Sequence, residues 1–192
     1  TILAGMEKSK RPGSGSAYSA RSASVGSRRA ARRAGGTPAK SPRARLTVTD
    51  HNAVNLERCH DEFGAGTETL DGIFGVECDV FAPCALGGVI NDTSIRQLRT
   101  AIVAGAANNQ LEEPRHGMQL HQRGIVYLPD YVINSGGLIH VLNLDPELRE
   151  QQLNSMLTTL RKLFAQSSRS GIPMFRQADI MAEQVLGLVP EK

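Results

Sequence analysis

Three blocks of small and amide residues, each closing an apolar run, constrain the fold of this chain more than any other feature. They are Cys78-Asp79-Val80-Phe81-Ala82-Pro83-Cys84-Ala85-Leu86-Gly87-Gly88, then Ala104-Gly105-Ala106-Ala107-Asn108-Asn109-Gln110, then Pro129-Asp130-Tyr131-Val132-Ile133-Asn134-Ser135-Gly136-Gly137-Leu138. A buried strand that delivers Gly, Ala and Asn at its carboxyl end brings bare backbone close to whatever binds there. In open α/β sheets, ligands bind in the crevice outside the carboxyl ends of the strands. Three such ends between Cys78 and Leu138 predict one shared ligand cleft.

The 192 residues suffice for one domain or a little more. Their net charge of +3 hides a split: residues 1–45 carry eleven Lys+Arg and one acid, Glu7, whereas the other 147 carry eleven Lys+Arg and eighteen Asp+Glu, a net of −7. The body is therefore mildly acidic and offers no support for nucleic-acid or membrane binding. Cys59, Cys78 and Cys84 have no CxxC spacing and no paired His cluster, so neither a disulfide framework nor a metal site is expected. Reduced cysteines point to the cytoplasm. No apolar run reaches the length of a membrane span, and Thr1–Met6 is too short for the apolar core of a signal peptide.

Between Ser9 and Arg45 the only large apolar or aromatic residues are Tyr18 and Val25. Such a segment cannot bury enough apolar area to offset its ordering entropy, and disorder is predicted over residues 1–44. The cluster Arg28, Arg29, Arg32 and Arg33 suits a polyanion, but no aromatic residue interleaves it. The Arg- and Ser-rich, acid-poor composition also resembles an organelle transit peptide.

Further along, Leu46–Thr49 reads as a β-branched strand ending at Asp50, and Ala53–Phe63 as a helix capped by Gly64. Cys78–Ala82 and Ala101–Gly105 read as buried strands, and Asp92 as the N-cap of a helix over Thr93–Leu98. Arg115-His116-Gly117 is placed in a loop before a helix Met118–Arg123, and Ile125–Asp130 as the next strand. Asp145-Pro146 opens a long helix in which Leu153, Met156, Leu157, Leu160 and Phe164 form an amphipathic core face. Ala178–Leu186 is the last helix. The expected architecture is α/β: an incomplete doubly wound parallel sheet over residues 45–144, a helical tail over 145–192, and a disordered basic arm over 1–44.

In this order and spacing the three blocks resemble the cofactor domain of the leucine/phenylalanine/valine dehydrogenases, within the glutamate dehydrogenase superfamily. The resemblance runs from about Arg45 to the end of the chain. It implies a Rossmann-like domain and NAD-dependent oxidative deamination of an apolar amino acid. Asp50, at the end of the family's second strand, would accept the adenosine ribose hydroxyls and repel a 2′-phosphate, favouring NAD over NADP. Cys84, Ala85 and Leu86 would lie against the nicotinamide half. Ala106 and Asn108 would follow at the next strand end, with Asn108 on the nicotinamide ribose and near the substrate amine. Asn134 would meet the nicotinamide carboxamide. Cys84 has no adjacent base and is assigned packing rather than thiol chemistry, and His116 receives no catalytic role.

The resemblance also places Leu138 and Val141 against the substrate side chain. Both are apolar, which suits an aliphatic or aromatic substrate and penalises an unpartnered carboxylate. It implies a homo-oligomer in the intact family. The two lysines and the aspartate with which the family binds the carboxylate and moves protons belong to an amino-terminal domain with no counterpart here. An inactive fragment is therefore expected, and no catalytic residue is assigned. The alternative is a non-catalytic nucleotide- or polyanion-binding remnant.

Thr1–Glu7 resembles the family's helix just before the cofactor domain. The interval from Met6 to Asp50 has about the family's length but lacks its first strand, GxGxxG turn and following helix. Preserved length with altered content is the expected trace of a compensated frameshift over residues 8–44. Translating the source gene in all three forward frames should recover a strand, a glycine fingerprint and a helix across codons 8–44, and three frames without that fingerprint would refute the frameshift.

Overall fold

The computed structural model describes residues 45–142 and 145–188, together with the backbone of Ile2–Ala4. The disorder expected over residues 1–44 falls, apart from Ile2–Ala4, outside the described residues, as does the frameshift expected over residues 8–44. A six-stranded sheet forms the centre, built from β1 (Ile2–Ala4), β2 (Thr47–Thr49), β3 (Gly66–Thr67), β4 (Glu77–Ala82), β5 (Arg99–Val103) and β6 (Val126–Tyr127). Its spatial order is β3-β2-β1-β4-β5-β6, the order of a doubly wound dinucleotide-binding sheet. The neighbours β2–β3, β4–β5 and β5–β6 are parallel, as expected.

The central position departs from expectation. The gap predicted between β2 and β4 is filled by Ile2–Ala4, which forms a strand rather than the anticipated helix. This strand runs antiparallel to both neighbours, with Ile2 opposite Thr49, Ala4 opposite Thr47, and Leu3 opposite Ala82. Two exposed strand edges flanking a gap are costly, and the backbone of Ile2–Ala4 pairs with both.

Among the described residues seven α-helices accompany the sheet: α1 (Ala53–Phe63), α2 (Ser94–Gln97), α3 (Pro114–Gln122), α4 (Asp130–Ile133), α5 (Gly136–Leu142), α6 (Pro146–Ser170) and α7 (Met174–Val185). Asn52 caps α1 by accepting the Val54 N–H at 2.9 Å, and Gly64 closes it in the left-handed region at φ 66°. Asp145 caps α6, with Pro146 at its first position. Ile73, Phe81, Ile90, Val103 and Leu120 form the heart of one apolar cluster, each no more than 1% exposed. Leu163, Met174 and Ala178 form a second, against Val126 and Leu128. Tyr127 belongs to the first cluster and Val126 to the second, as alternation along a strand requires. Burying one such large side chain contributes about 1.5–3 kcal/mol.

Three local expectations are corrected. The long helix buries Leu163 and partly covers Leu160, but leaves Leu153, Leu157 and Phe164 exposed, because α7 covers only part of its apolar stripe. Arg115-His116-Gly117 lies inside α3, not before it. Asp92 does not cap α2: Asn91 accepts the Thr93 and Ser94 N–H groups, both at 3.0 Å. Asp92 instead accepts two bonds from the Arg115 guanidinium, at 2.8 and 2.7 Å, and faces Nε2 of the fully buried His116 at 3.2 Å. The Glu113 N–H donates to His116 Nδ1, so the ring proton sits on Nε2 and points at Asp92.

The Arg115 hydrogen bonds hold the Asp92 carboxyl down at about 2, from an ordinary 3.8. A depressed carboxyl stabilises the fold above its unfolded value and loses that contribution as pH falls through the folded one. Asp92→Ala should therefore lower the melting temperature at pH 7. Thermal scans should show the gap to wild type closing between about pH 4 and pH 2, as that linkage requires. A gap independent of pH in that window would contradict the assignment.

Candidate active site: the carboxyl ends of β4, β5 and β6

The segments after β4 and β5 lie backbone to backbone. The Ala107 N–H donates to Pro83 O at 2.9 Å, Gly88 N–H to Asn109 O at 2.8 Å, and Ile90 N–H to Gln110 O at 2.9 Å. A side chain at Gly105 would place its Cβ 1.9 Å from Pro83 O, and one at Gly87 would come within 2.8 Å of Asn108 O. These two glycines permit an approach that no other residue allows. Gln110, fully buried, donates from its side-chain nitrogen to Gly105 O at 2.6 Å and Ala107 O at 3.0 Å, bracing the loop from inside.

The third loop locks onto the second. Asn134 Nδ2 donates to Asn108 Oδ1 at 2.5 Å. Asp130 accepts the Asn109 main-chain N–H at 2.6 Å and the Tyr127 hydroxyl at 2.7 Å. Burial, followed by the bond to Asp130, pushes the Tyr127 phenol well above its ordinary range. Asn109 adopts a left-handed conformation at φ 51°, which Asn tolerates better than most residues.

Asn108 and Asn134 are thus brought into direct contact. With one oxygen occupied by the pairing, Asn108 retains an N–H pair and Asn134 retains its carbonyl oxygen, so the couple presents a donor and an acceptor side by side. Cys84 is half-buried, while Ala85, Leu86 and Ala106 are exposed beside the backbone ladder. Leu138 and Val141 stand three apart on α5 and share a face; they are 63% and 74% exposed, with no apolar cover. Asp50 ends β2, at the far side of β1. Its carboxylate is held by the Asn52 N–H at 2.8 Å and Asn55 Nδ2 at 3.2 Å.

Sequence reasoning missed Asp130, Tyr127 and Gln110 as structural members of this site. A usable signal existed for Asp130: an acid directly after Pro129 suits the first turn of a helix, and Tyr127 precedes it by one turn's spacing. Gln110 offered none, since its role depends on loops meeting in space. Among the described residues no cluster of His, Cys, Asp and Glu is able to hold a metal ion, and no helix is long and apolar enough to cross a membrane. All three cysteines are free, and burial raises the Cys78 thiol above its ordinary value.

Gly105→Ala tests the ladder. The new methyl must displace Pro83 or its own loop, and overpacking against backbone costs on the order of 1–3 kcal/mol or more. Chemical denaturation should show that loss, and a variant as stable as wild type would mean that the two loops are not in contact.

Comparison with known proteins agrees with this geometry. Residues 43–162 match the family model for Glutamate/Leucine/Phenylalanine/Valine dehydrogenase. The chain is 48% identical over 145 residues to leucine dehydrogenase of Geobacillus stearothermophilus, covering 73% of this chain and 40% of that protein. It is 38% identical over 150 residues to phenylalanine dehydrogenase of Bacillus thermotolerans, covering 73% and 39%. The crystal structure of L-tryptophan dehydrogenase from Nostoc punctiforme superposes with a TM-score of 0.70 at 39% identity, covering 73% of this chain and 43% of that one. The chain spans about two fifths of the length of the curated relatives it matches. With its doubly wound strand order and its paired asparagines at the strand ends, this chain belongs to the glutamate/leucine/phenylalanine/valine dehydrogenase family.

Proposed function

We propose that this chain is the cofactor-domain portion of an NAD-dependent dehydrogenase that converts an apolar L-amino acid to its 2-oxo acid and ammonia. The observation that carries this reading is the Asn108–Asn134 couple, set where three strand-end loops converge. When bound, the nicotinamide cofactor supplies the hydride acceptor. The residues present suit its nicotinamide half. Asn134 Oδ1 suits the carboxamide N–H of nicotinamide, and Asn108 Nδ2 suits a ribose hydroxyl or a substrate oxygen. The half-buried Cys84 and the exposed Ala85 and Ala106 offer small side chains beside the exposed Leu86. Asp50 suits the adenosine ribose, where its charge repels a 2′-phosphate.

Leu138 and Val141 form the apolar wall for the substrate side chain. The three relatives' names carry leucine, phenylalanine and tryptophan, all with large apolar side chains. A carboxylate side chain would stand unpaired against that wall. The proposed division places the arm at 1–44, the partial nucleotide-binding domain at 45–144 and the terminal helices at 145–192. The exposed apolar residues Leu142, Leu153, Leu157 and Phe164 support a further domain and a homo-oligomer in the intact enzyme. A cytoplasmic location fits the free cysteines.

Among the described residues no side chain is assigned the proton transfers, and cofactor binding without proton transfer gives little turnover. The chain alone is therefore proposed to be inactive. One observation favours a second reading, a non-catalytic remnant that binds half of a nucleotide or a polyanion. In a doubly wound fold, the glycine turn that cradles the pyrophosphate follows the carboxyl end of the first strand. Here β1 is reversed, and that end faces the opposite edge.

Purified chain assayed for NADH formation from leucine, valine, phenylalanine and tryptophan at alkaline pH should give no signal above background. Turnover would overturn the proposed inactivity. In binding measurements NADH should be preferred over NADPH, and Asp50→Ala should narrow that preference by about ten-fold, the worth of one removed charge repulsion. Equal affinities in the wild type would remove Asp50 from the ribose site.

A further inference from the structure

Asp130 bonds to Asn134 of the asparagine couple and to Asn109, the neighbour of Asn108, without belonging to the couple. Its carboxylate accepts the main-chain N–H of Asn109, the neighbour of Asn108, at 2.6 Å. Its own main-chain carbonyl accepts the N–H of Asn134 at 2.8 Å. The other carboxylate oxygen accepts the hydroxyl of Tyr127, a side chain 5% exposed and anchored in the core at the end of β6. A carboxylate held at both oxygens cannot rotate, and the charge makes each bond stronger than a neutral one. Asn109 sits at φ 51°, a conformation that a non-glycine residue keeps only when its surroundings enforce it. The Asp130 side chain, at the start of α4, ties the loop after β5 to the core through Asn109 and Tyr127.

We propose that Asp130 is a positioning residue, which sets the Asn108–Asn134 couple in register for the nicotinamide half of the cofactor. The assignment rests on the cofactor reading above. Without the carboxylate, the Asn109 N–H loses its acceptor, the left-handed turn relaxes, and Asn108 swings away from Asn134. A misplacement of about 1 Å in a positioning group is enough to cost two orders of magnitude in an enzyme. The adenosine end at Asp50 stands on a different strand, beyond β1, and is untouched by the change.

The test uses the full chain as wild type, Asp130→Ala and Asp130→Asn. It reads amide exchange over residues 104–112, together with NMR titrations of nicotinamide mononucleotide and of ADP-ribose. Asp130→Ala should accelerate exchange in that segment but not in β4. It should weaken nicotinamide mononucleotide binding by about ten-fold, as expected for one lost hydrogen bond to a charged group, and leave ADP-ribose binding unchanged. Asp130→Asn keeps an oxygen for the Asn109 N–H and a nitrogen for the Tyr127 oxygen, and should hold binding within about three-fold of wild type. Unaltered exchange, or equal losses for both probes, would overturn the proposal. If Asp130→Ala does not fold, the wild type alone decides: the Asn109 amide should exchange slowest in its loop, and an amide as fast as its exposed neighbours refutes the clamp. Wild-type protein that binds neither probe removes the cofactor reading and the target assigned to Asp130. The exchange comparison still supports or refutes the clamp itself.

Discussion

The approach of Gly105 to Pro83 is the contact on which the site depends. A strand end can face a ligand with bare backbone only if the neighbouring strand end lies close enough to share its hydrogen bonds. Here the Pro83 carbonyl occupies the space a Cβ at residue 105 would need, and it accepts the Ala107 N–H instead. Pro83 has no N–H of its own to satisfy, so β4 stops where the second loop begins to lie across it. The ladder from Gly88 to Asn109 and from Ile90 to Gln110 follows from that start. Asn108 is then carried to Asn134, and Asp130 and Gln110 hold the loop from either side.

A second constraint acts at the centre of the sheet. Strands β2 and β4 each present an edge that must be paired, and the chain pairs them with three residues running the wrong way for a doubly wound fold. Order and direction are thereby separated. Order follows from which edges need covering, and an edge is satisfied by backbone hydrogen bonds from a strand of either direction. The reversal leaves the strand ends that carry the Asn108–Asn134 couple intact, because β4, β5 and β6 remain parallel to one another. It changes the centre of the sheet, where β1 runs against both of its neighbours.

Much of this was legible before any coordinates. The α/β class, the strands at Thr47–Thr49 and Glu77–Ala82, the helix at Ala53–Phe63 and the Asp145-Pro146 start of α6 all follow from local rules of period, propensity and capping. The three loops were readable because runs of Gly, Ala and Asn after an apolar strand have few other uses. Where the reading failed, a partner was missing from view. Asp92 has the right chemistry for an N-cap, but Arg115 and His116, more than twenty residues on, claim it, and Asn91 accepts the Thr93 and Ser94 N–H groups ahead of α2. The apolar stripe of α6 was correctly periodic, yet α7 is too short to cover all of it.

By itself, the sequence determined the elements and the chemical character of the cleft, because these depend on residue type and spacing within a few turns of chain. Only the tertiary structure decided which strand would fill the central gap and in which direction, because that choice is a competition between distant edges. Only the tertiary structure paired Asn108 with Asn134 and gave Asp130 its two partners. Hydrogen bonds across 21 and 26 residues depend on how loops meet in space, and no local pattern records the meeting.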